Sequence, residues 1–398
     1  MMPRSLWLLI IGMALNVTAS SFLWPLNTIY LHKYLGESLS AAGLVLMANS
    51  LASVFGNLCG GYLFDKAGGY KSVLAGVFIT FASSIGMVAN HELVSYTIFL
   101  TLSGFGTGII FPAIFAMAGS VWKEGGRKSF NAIYVAQNLG VALGSALGGI
   151  IASYSFQYIF AANAIMYLAF LLLAVFGFRG IEGDAAVQTS VLNESVPVKH
   201  SKKILALSVL CVGYFLCWIG YVQWQSTIAD YTQQIGLSLK QYSLFWAING
   251  SIIVLAQPVI KVLIKWFAKT LKIQLVAGML IFIISFTVAA NAHDFSGFLT
   301  AMVILTIGEM FVWPAVPAVA NDLAVKGREG FYQGIVNSTA TAGRMVGPLL
   351  GGFLVDTHGM NMMFSIFTIS FVIAIITIFM YERVLKKAEE NNQVVSDL

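Results

Sequence analysis

Residues 308–320 read GEMFVWPAVPAVA, and 202 positions earlier residues 106–118 read GTGIIFPAIFAMA. Gly106-x5-Pro112-Ala113-x2-Ala116-x-Ala118 thus recurs as Gly308-x5-Pro314-Ala315-x2-Ala318-x-Ala320. A second pair follows at nearly the same offset. Gly140-x3-Gly144-x3-Gly148-Gly149 returns as Gly343-x3-Gly347-Pro348-x2-Gly351-Gly352. Close helix packing accounts for abundant small residues, but a shared offset calls for an internal repeat.

Both copies lie in apolar surroundings. The 398 residues are 58% hydrophobic and 10% charged, with mean hydropathy +0.82. A soluble domain carries roughly 25% charged residues, so this chain lacks the charge to cover a water-facing surface. Extracellular, nucleic-acid-binding and disordered readings are disfavoured at once. A membrane helix needs about 20 apolar residues. Such runs fall near 5–31, 40–63, 72–90, 95–117, 130–152, 156–178, 204–228, 241–264, 273–291, 297–319, 331–355 and 360–381. The expectation is an all-α membrane protein of twelve transmembrane helices in two pseudo-symmetric six-helix bundles. The N-terminal bundle covers 1–179, a polar central loop 180–203, and the C-terminal bundle with a short tail 204–398.

Basic residues orient the chain. With the N-terminus in the cytoplasm, nineteen of the 22 Lys and Arg residues fall inside. Lys33 and Lys240 fall outside, and Arg344 lies within a span. This positive-inside bias predicts a multi-pass protein of the inner or plasma membrane with both termini cytoplasmic. The net charge of +5 then reports topology rather than a nucleic-acid surface. Cys59, Cys211 and Cys217 sit in spans, against a disulfide framework, and no histidine has metal-ligand spacing to another donor. No metal or cofactor is expected.

Parallel halves related about the membrane normal are the plan of major facilitator transporters. The run from Gly61 to Lys71, GYLFDKAGGYK, resembles that superfamily's loop 2–3 signature G-x-L-x-D-[RK]-x-G-[RK]-[RK]-x, with Gly69 at a usual basic position. Gly343 to Gly352 resembles the G-x-x-x-G-P-x-x-G-G signature of antiporters. That signature normally sits in the fifth helix. Here the fifth span has Ser145 where proline is expected, and the eleventh carries the full form. The resemblance implies the major facilitator fold and points to the 12-helix drug:proton antiporter branch. It also implies a conformational latch of Gly61, Asp65, Lys66, Gly68 and Lys71. In it, an aspartate at the end of the second helix faces the positive N-terminus of the eleventh and a loop cation, for which Arg127 and Lys128 match. A solvated loop charge is the bland alternative.

Glu309 lies near the middle of the tenth span. A carboxylate at that depth is costly and should face a cavity or a partner. Burial disfavours its charged form, which suits a group that binds and releases protons. Arg344 is the one basic residue equally deep, so a buried Glu309–Arg344 pair is the structural alternative. Spans one, four, seven and ten line the substrate cavity in the superfamily. At helical spacing, Asn16, Ser20, Trp24 and Asn27 share one face, and Tyr214, Trp218, Tyr221 and Gln225 another. Thr306, Glu309 and Trp313 complete the candidate lining. Membrane-interface anchoring is the competing account of the tryptophans.

These residues suit an amphipathic or cationic organic molecule, with the acid as counter-charge and the aromatic faces as cation–π partners. The expectation is a proton-coupled exporter acting as a monomer in the bilayer, its partners a small-molecule substrate and protons. Export or facilitation of a single metabolite such as a sugar stays open through Asn16, Asn27, Gln137, Asn138, Gln225, Asn249 and Gln257. A membrane-embedded enzyme or receptor is disfavoured. No paired intramembrane acids, H-E-x-x-H motif or Ser/His arrangement lies within the spans.

Overall fold

The computed structural model describes residues 2–24, 26–27, 30–37, 39–181 and 198–396. Helices account for nearly all of them, and no strand occurs among the described residues. The first six membrane helices are α1 (Arg4–Leu23), α2 (Leu39–Ala67), α3 (Gly69–Ala89), α4 (Leu93–Val121), α5 (Arg127–Tyr154) and α6 (Phe156–Gly177). The next four are α7 (Val198–Tyr221), α8 (Leu239–Leu255 continued by Gln257–Phe267), α9 (Leu271–Ala290) and α10 (Phe295–Val312 continued by Ala315–Leu323). The last run, Glu329–Ser396, parts at Gly359 into α11 (329–358) and α12 (360–396). Much of the central polar loop expected at 180–203 lies outside the described residues.

Among the described residues nine helices are long and apolar enough to cross a membrane, ten if bent α8 is one span. That count takes the run through Gly359 as one helix. Separating α11 from α12 and adding the 28-residue, glycine-rich α5 gives the twelve expected from hydropathy. Large apolar side chains such as Phe78, Ile165 and Phe176 stay exposed along the helices. Lipid solvates such a surface, whereas water would not.

Local chemistry sets the breaks. Gly68 (φ 87) and Gly359 (φ 78) take left-handed conformations that side chains resist. The Ser238 hydroxyl and the Gln241 side chain form a reciprocal capping box that opens α8. Pro258 sits at the start of the second α8 segment, where α8 bends by 65°. Asp294 caps α10 by accepting the Gly297 N–H at 2.8 Å and the Ser296 hydroxyl at 2.8 Å. These bonds hold its carboxyl below the usual range. Pro314 denies the Met310 carbonyl its helical donor, and α10 breaks there.

The chain forms two compact units. One comprises Met1–Leu192 with Lys326–Thr341, the other Asn193–Val325 with Ala342–Leu398. The repeat appears in the packing of each. A Cβ on Gly76 of α3 would lie 2.8 Å from the Gly106 carbonyl of α4. In the other unit a Cβ on Gly278 of α9 would lie 3.2 Å from the Gly308 carbonyl of α10. Both glycine pairs are separated by the offset already seen in the sequence. The next turn carries Thr80 against Gly106 and Phe282 against Gly308.

Candidate functional site

In the first unit the motif at the end of α2 meets the start of α11. The Asp65 carboxylate accepts the Gly330 N–H at 2.7 Å and the Phe331 N–H at 2.8 Å. These are among the unsatisfied donors of a helix N-terminus, where an anion is stabilised by the helix dipole. Arg328 and Glu329 lie within electrostatic reach of Asp65, with opposite effects on its charge.

The approach needs glycine on both sides. A Cβ on Gly61 would strike the Gly330 carbonyl oxygen, and one on Gly330 would meet Phe64 Cβ at 2.7 Å. The seam continues up both helices. A Cβ on Gly334 would lie 2.7 Å from the Asn57 carbonyl. Ser338 donates to the Val54 carbonyl at 3.1 Å, and the Asn57 amide donates to Thr341 at 3.3 Å. Gly330, Gly334 and Ser338 form a small-residue row at a spacing of four, a signal that the sequence itself carries. Lys66 turns aside and donates to the Tyr62 hydroxyl at 2.9 Å. Lys71 and Lys128 are exposed, and Arg127 opens α5 behind Gly126 (φ 46).

The antiporter-type glycines pack the first helix of each half against the fifth. Gly140 of α5 lies against Ala14 and Val17 of α1, Gly144 against Thr18 and Ser21, and Gly148 against Phe22. In the second unit Gly343 of α11 lies against Trp218 of α7, Gly347 against Ile219 and Val222, and Gly351 against the Gln223 side chain. Pro348 sits within α11, and Gly352 faces open space. The surroundings of Gly149 lie outside the described residues.

Glu309 is 2% exposed. Its Oε1 accepts the Asn249 amide at 2.7 Å, and the same amide nitrogen donates to Thr306 Oγ1 at 2.9 Å. Thr306 in turn donates to the Met302 carbonyl at 2.7 Å. Beside this network an aromatic cluster joins α7 to α10. Trp313 stacks on Trp218 at 4.3 Å and 13°. It meets Tyr214 at 5.8 Å and Tyr221 at 5.2 Å, both edge-on. The Arg344 guanidinium lies over the Trp218 ring, 4.8 Å from its centroid. The structure therefore gives Arg344 an aromatic partner and Glu309 an amide.

Of the helix 7 stripe, Tyr214, Trp218 and Tyr221 meet in this aromatic cluster. At Tyr221 the α-helix tightens into a 3-10 turn over Val222–Gln225, and a short α-helix, Thr227–Gln234, follows Ser226. Gln225 thus leaves the stripe. The buried amide at the break is Gln223. It donates to the Ile219 carbonyl at 2.7 Å and the Gly347 carbonyl at 2.8 Å, and accepts from Thr227 at 2.7 Å. Hydropathy gave no sign of it.

The α1 stripe divides. Asn16 is fully buried with no hydrogen-bond partner among the described residues. Ser20 donates back to the Val17 carbonyl at 3.0 Å. Trp24 caps the helix and is exposed. Asn27, beyond the helix end, accepts the Tyr96 hydroxyl at 2.8 Å in a buried cluster with Tyr30 and Phe160.

Comparison with known proteins is consistent with this geometry. The family model described as Major Facilitator Superfamily matches residues 9–324 and 270–396. An uncharacterized MFS-type transporter, YttB of Bacillus subtilis (strain 168), is 57% identical over 395 residues, covering 99% of each chain. The quinolone resistance protein NorA of Staphylococcus aureus (strain COL) is 23% identical over 364 residues, covering 90% of this chain and 91% of its own. Among solved structures, the human organic anion transporter MFSD10 (TETRAN) superposes with a TM-score of 0.75 at 16% identity. That match covers 95% of this chain and 100% of the other, and it supports the fold.

Proposed function

Because the chain belongs to the major facilitator superfamily, a family of transporters rather than enzymes, we propose that it is a proton-coupled exporter of amphipathic small organic molecules. It works by alternating access in the cell membrane, as a single chain with both termini cytoplasmic. Glu309 is its proton carrier. One observation carries this reading: a carboxyl midway along α10, 2% exposed, held by the neutral Asn249 amide. The bond to Oε1 comes from a neutral amide, which can keep donating when the carboxyl is protonated on its other oxygen. Intramembrane acids of this kind mark ion and proton pathways. Substrate entering from the cytoplasm displaces the proton, the halves rock, substrate leaves, and a proton returns from outside. Asp65 on the α11 N-terminus is the latch for one limb of that cycle.

The relative named for quinolone resistance supports a drug-like, amphipathic cargo over a metabolite. Of the seven amides named for sugar carriage, Asn27, Asn138, Asn249 and Gln257 are engaged in bonds within the protein, while buried Asn16 has no hydrogen-bond partner among the described residues. Glu309, 2% exposed, offers little surface as a counter-charge for a cation in this structure.

The test uses the purified chain in liposomes with an imposed pH gradient. Glu309→Gln keeps the shape and removes the titration. Gradient-driven transport is expected to vanish while the unfolding temperature holds within a few degrees. Full gradient-driven transport by a stable Glu309→Gln protein removes Glu309 from the mechanism.

A further inference from the structure

The charge that the second unit presents to solvent beside its aromatic cluster is positive. Arg344 lies midway along α11, and its side chain is exposed, whereas Glu309 is 2% exposed. A cation at mid-membrane depth is costly unless it lines a water-filled cleft, and such residues mark substrate paths. Its position ties it to the cluster and away from lipid. The guanidinium lies over Trp218, whose ring also stacks on Trp313. Trp218 thus carries the guanidinium 4.8 Å from its centroid and the Trp313 ring at 4.3 Å. Gly343, next to Arg344, packs on Trp218 Cβ and fixes the register of α11 on α7. Tyr214 and Tyr221 are within electrostatic range of the guanidinium. Trp218 is half-buried, while Trp313, Tyr214 and Tyr221 are buried. Arg344 and the Trp218 edge are thus the accessible side of a rigid aromatic wall.

The geometry points to a recognition site for a planar aromatic molecule carrying a carboxylate: Arg344 takes the anionic group and Trp218 the ring edge. A guanidinium offers a fixed fork of donors that matches a carboxylate in a way an ammonium does not. Stacking on Trp218 holds the fork in place, which reduces the ordering needed on binding. This inference names the substrate class of the exporter proposed above and rests on that reading. It makes the cargo an anion or a zwitterion and not a simple cation.

The test is binding to the full chain in nanodiscs, read by quenching of tryptophan fluorescence. The probes share one ring system: 2-naphthoate, its neutral methyl ester, and 2-naphthylmethylammonium. The wild-type chain is expected to bind 2-naphthoate about tenfold or more tightly than the ester or the ammonium, the span of one charge-assisted hydrogen bond. Arg344→Met should abolish the preference for the acid and leave ester binding within about twofold. Arg344→Lys should keep part of the preference. Equal binding of acid and ester by the wild type overturns the proposal, and needs no variant to fold. A preference that survives in folded Arg344→Met also overturns it. Gradient-driven transport in liposomes separates the two readings. Transport of a cationic or neutral amphipath with no acid preference sinks this inference and leaves the exporter. Acid preference without gradient-driven transport does the reverse.

Discussion

Trp218 and Trp313, 95 positions apart in sequence, lie with ring centroids 4.3 Å apart and planes within 13°. Parallel stacking at this distance joins α7 to α10 directly beside the break at Pro314. Aromatic pairs contribute roughly 0.5–1.5 kcal/mol beyond their burial, and truncation of a buried Trp costs about 3–5 kcal/mol. Trp313→Ala is therefore expected to lower the unfolding temperature in detergent clearly more than Trp313→Phe. It should also release Trp218 and weaken aromatic ligands. Equal unfolding temperatures for the two variants would remove the stack as a structural element.

Asp65→Asn keeps one acceptor oxygen and removes the charge that faces the α11 N-terminus. An exposed anion at such a site contributes about 0.3–1 kcal/mol, and up to about 2 in a partly buried one. The seam between α2 and α11 should loosen at its cytoplasmic end while the protein stays folded. Spin labels at Lys71 and Lys326, both exposed, should show a longer or broader distance, and transport should fall. Unchanged distances with normal transport would refute the latch.

Neighbouring glycines of the antiporter-type motif should behave oppositely. A Cβ on Gly351 would run into the Gln223 side chain, whereas one on Gly352 meets nothing within 4 Å. Gly351→Ala should displace Gln223 from the Gly347 carbonyl and cost about 1–3 kcal/mol through overpacking. Gly352→Ala should be neutral or stabilising by up to about 1 kcal/mol, from helix propensity alone. Thermal unfolding of the two single variants decides the matter. Equal losses would mean that the motif acts through helix flexibility rather than contact.

Topology is testable with thiols. Cys59 is exposed, so it is first replaced by Ser. A cysteine at His293 should then react with an impermeant reagent in intact cells, and one at Lys71 should not. Reaction at Lys71 would invert the orientation drawn from the basic residues.

The sequence by itself determined the twelve spans and the repeat that divides them. Hydropathy accumulates locally along the chain, and the offset joining Gly106 to Gly308 survives as the same glycine contact in both halves. It also put Glu309, Asp65 and the Tyr214–Trp218–Tyr221 stripe in view, because a charge or an aromatic row inside an apolar run stands out without any partner. Only the tertiary structure decided what each one meets. A helix turns about 100° per residue, so the rotation of one helix against another selects Gly351 over Gly352 as the contact. That choice is invisible in composition. The same holds for Asn249, whose amide binds Glu309 from another helix, and for Arg344, which rests on Trp218. Gln223 became the buried amide and Gln225 did not, because the chain tightens into a 3-10 turn after Tyr221. Where a helix stops depends on the carbonyls and hydroxyls that neighbouring segments supply, and those come from residues far away in the chain.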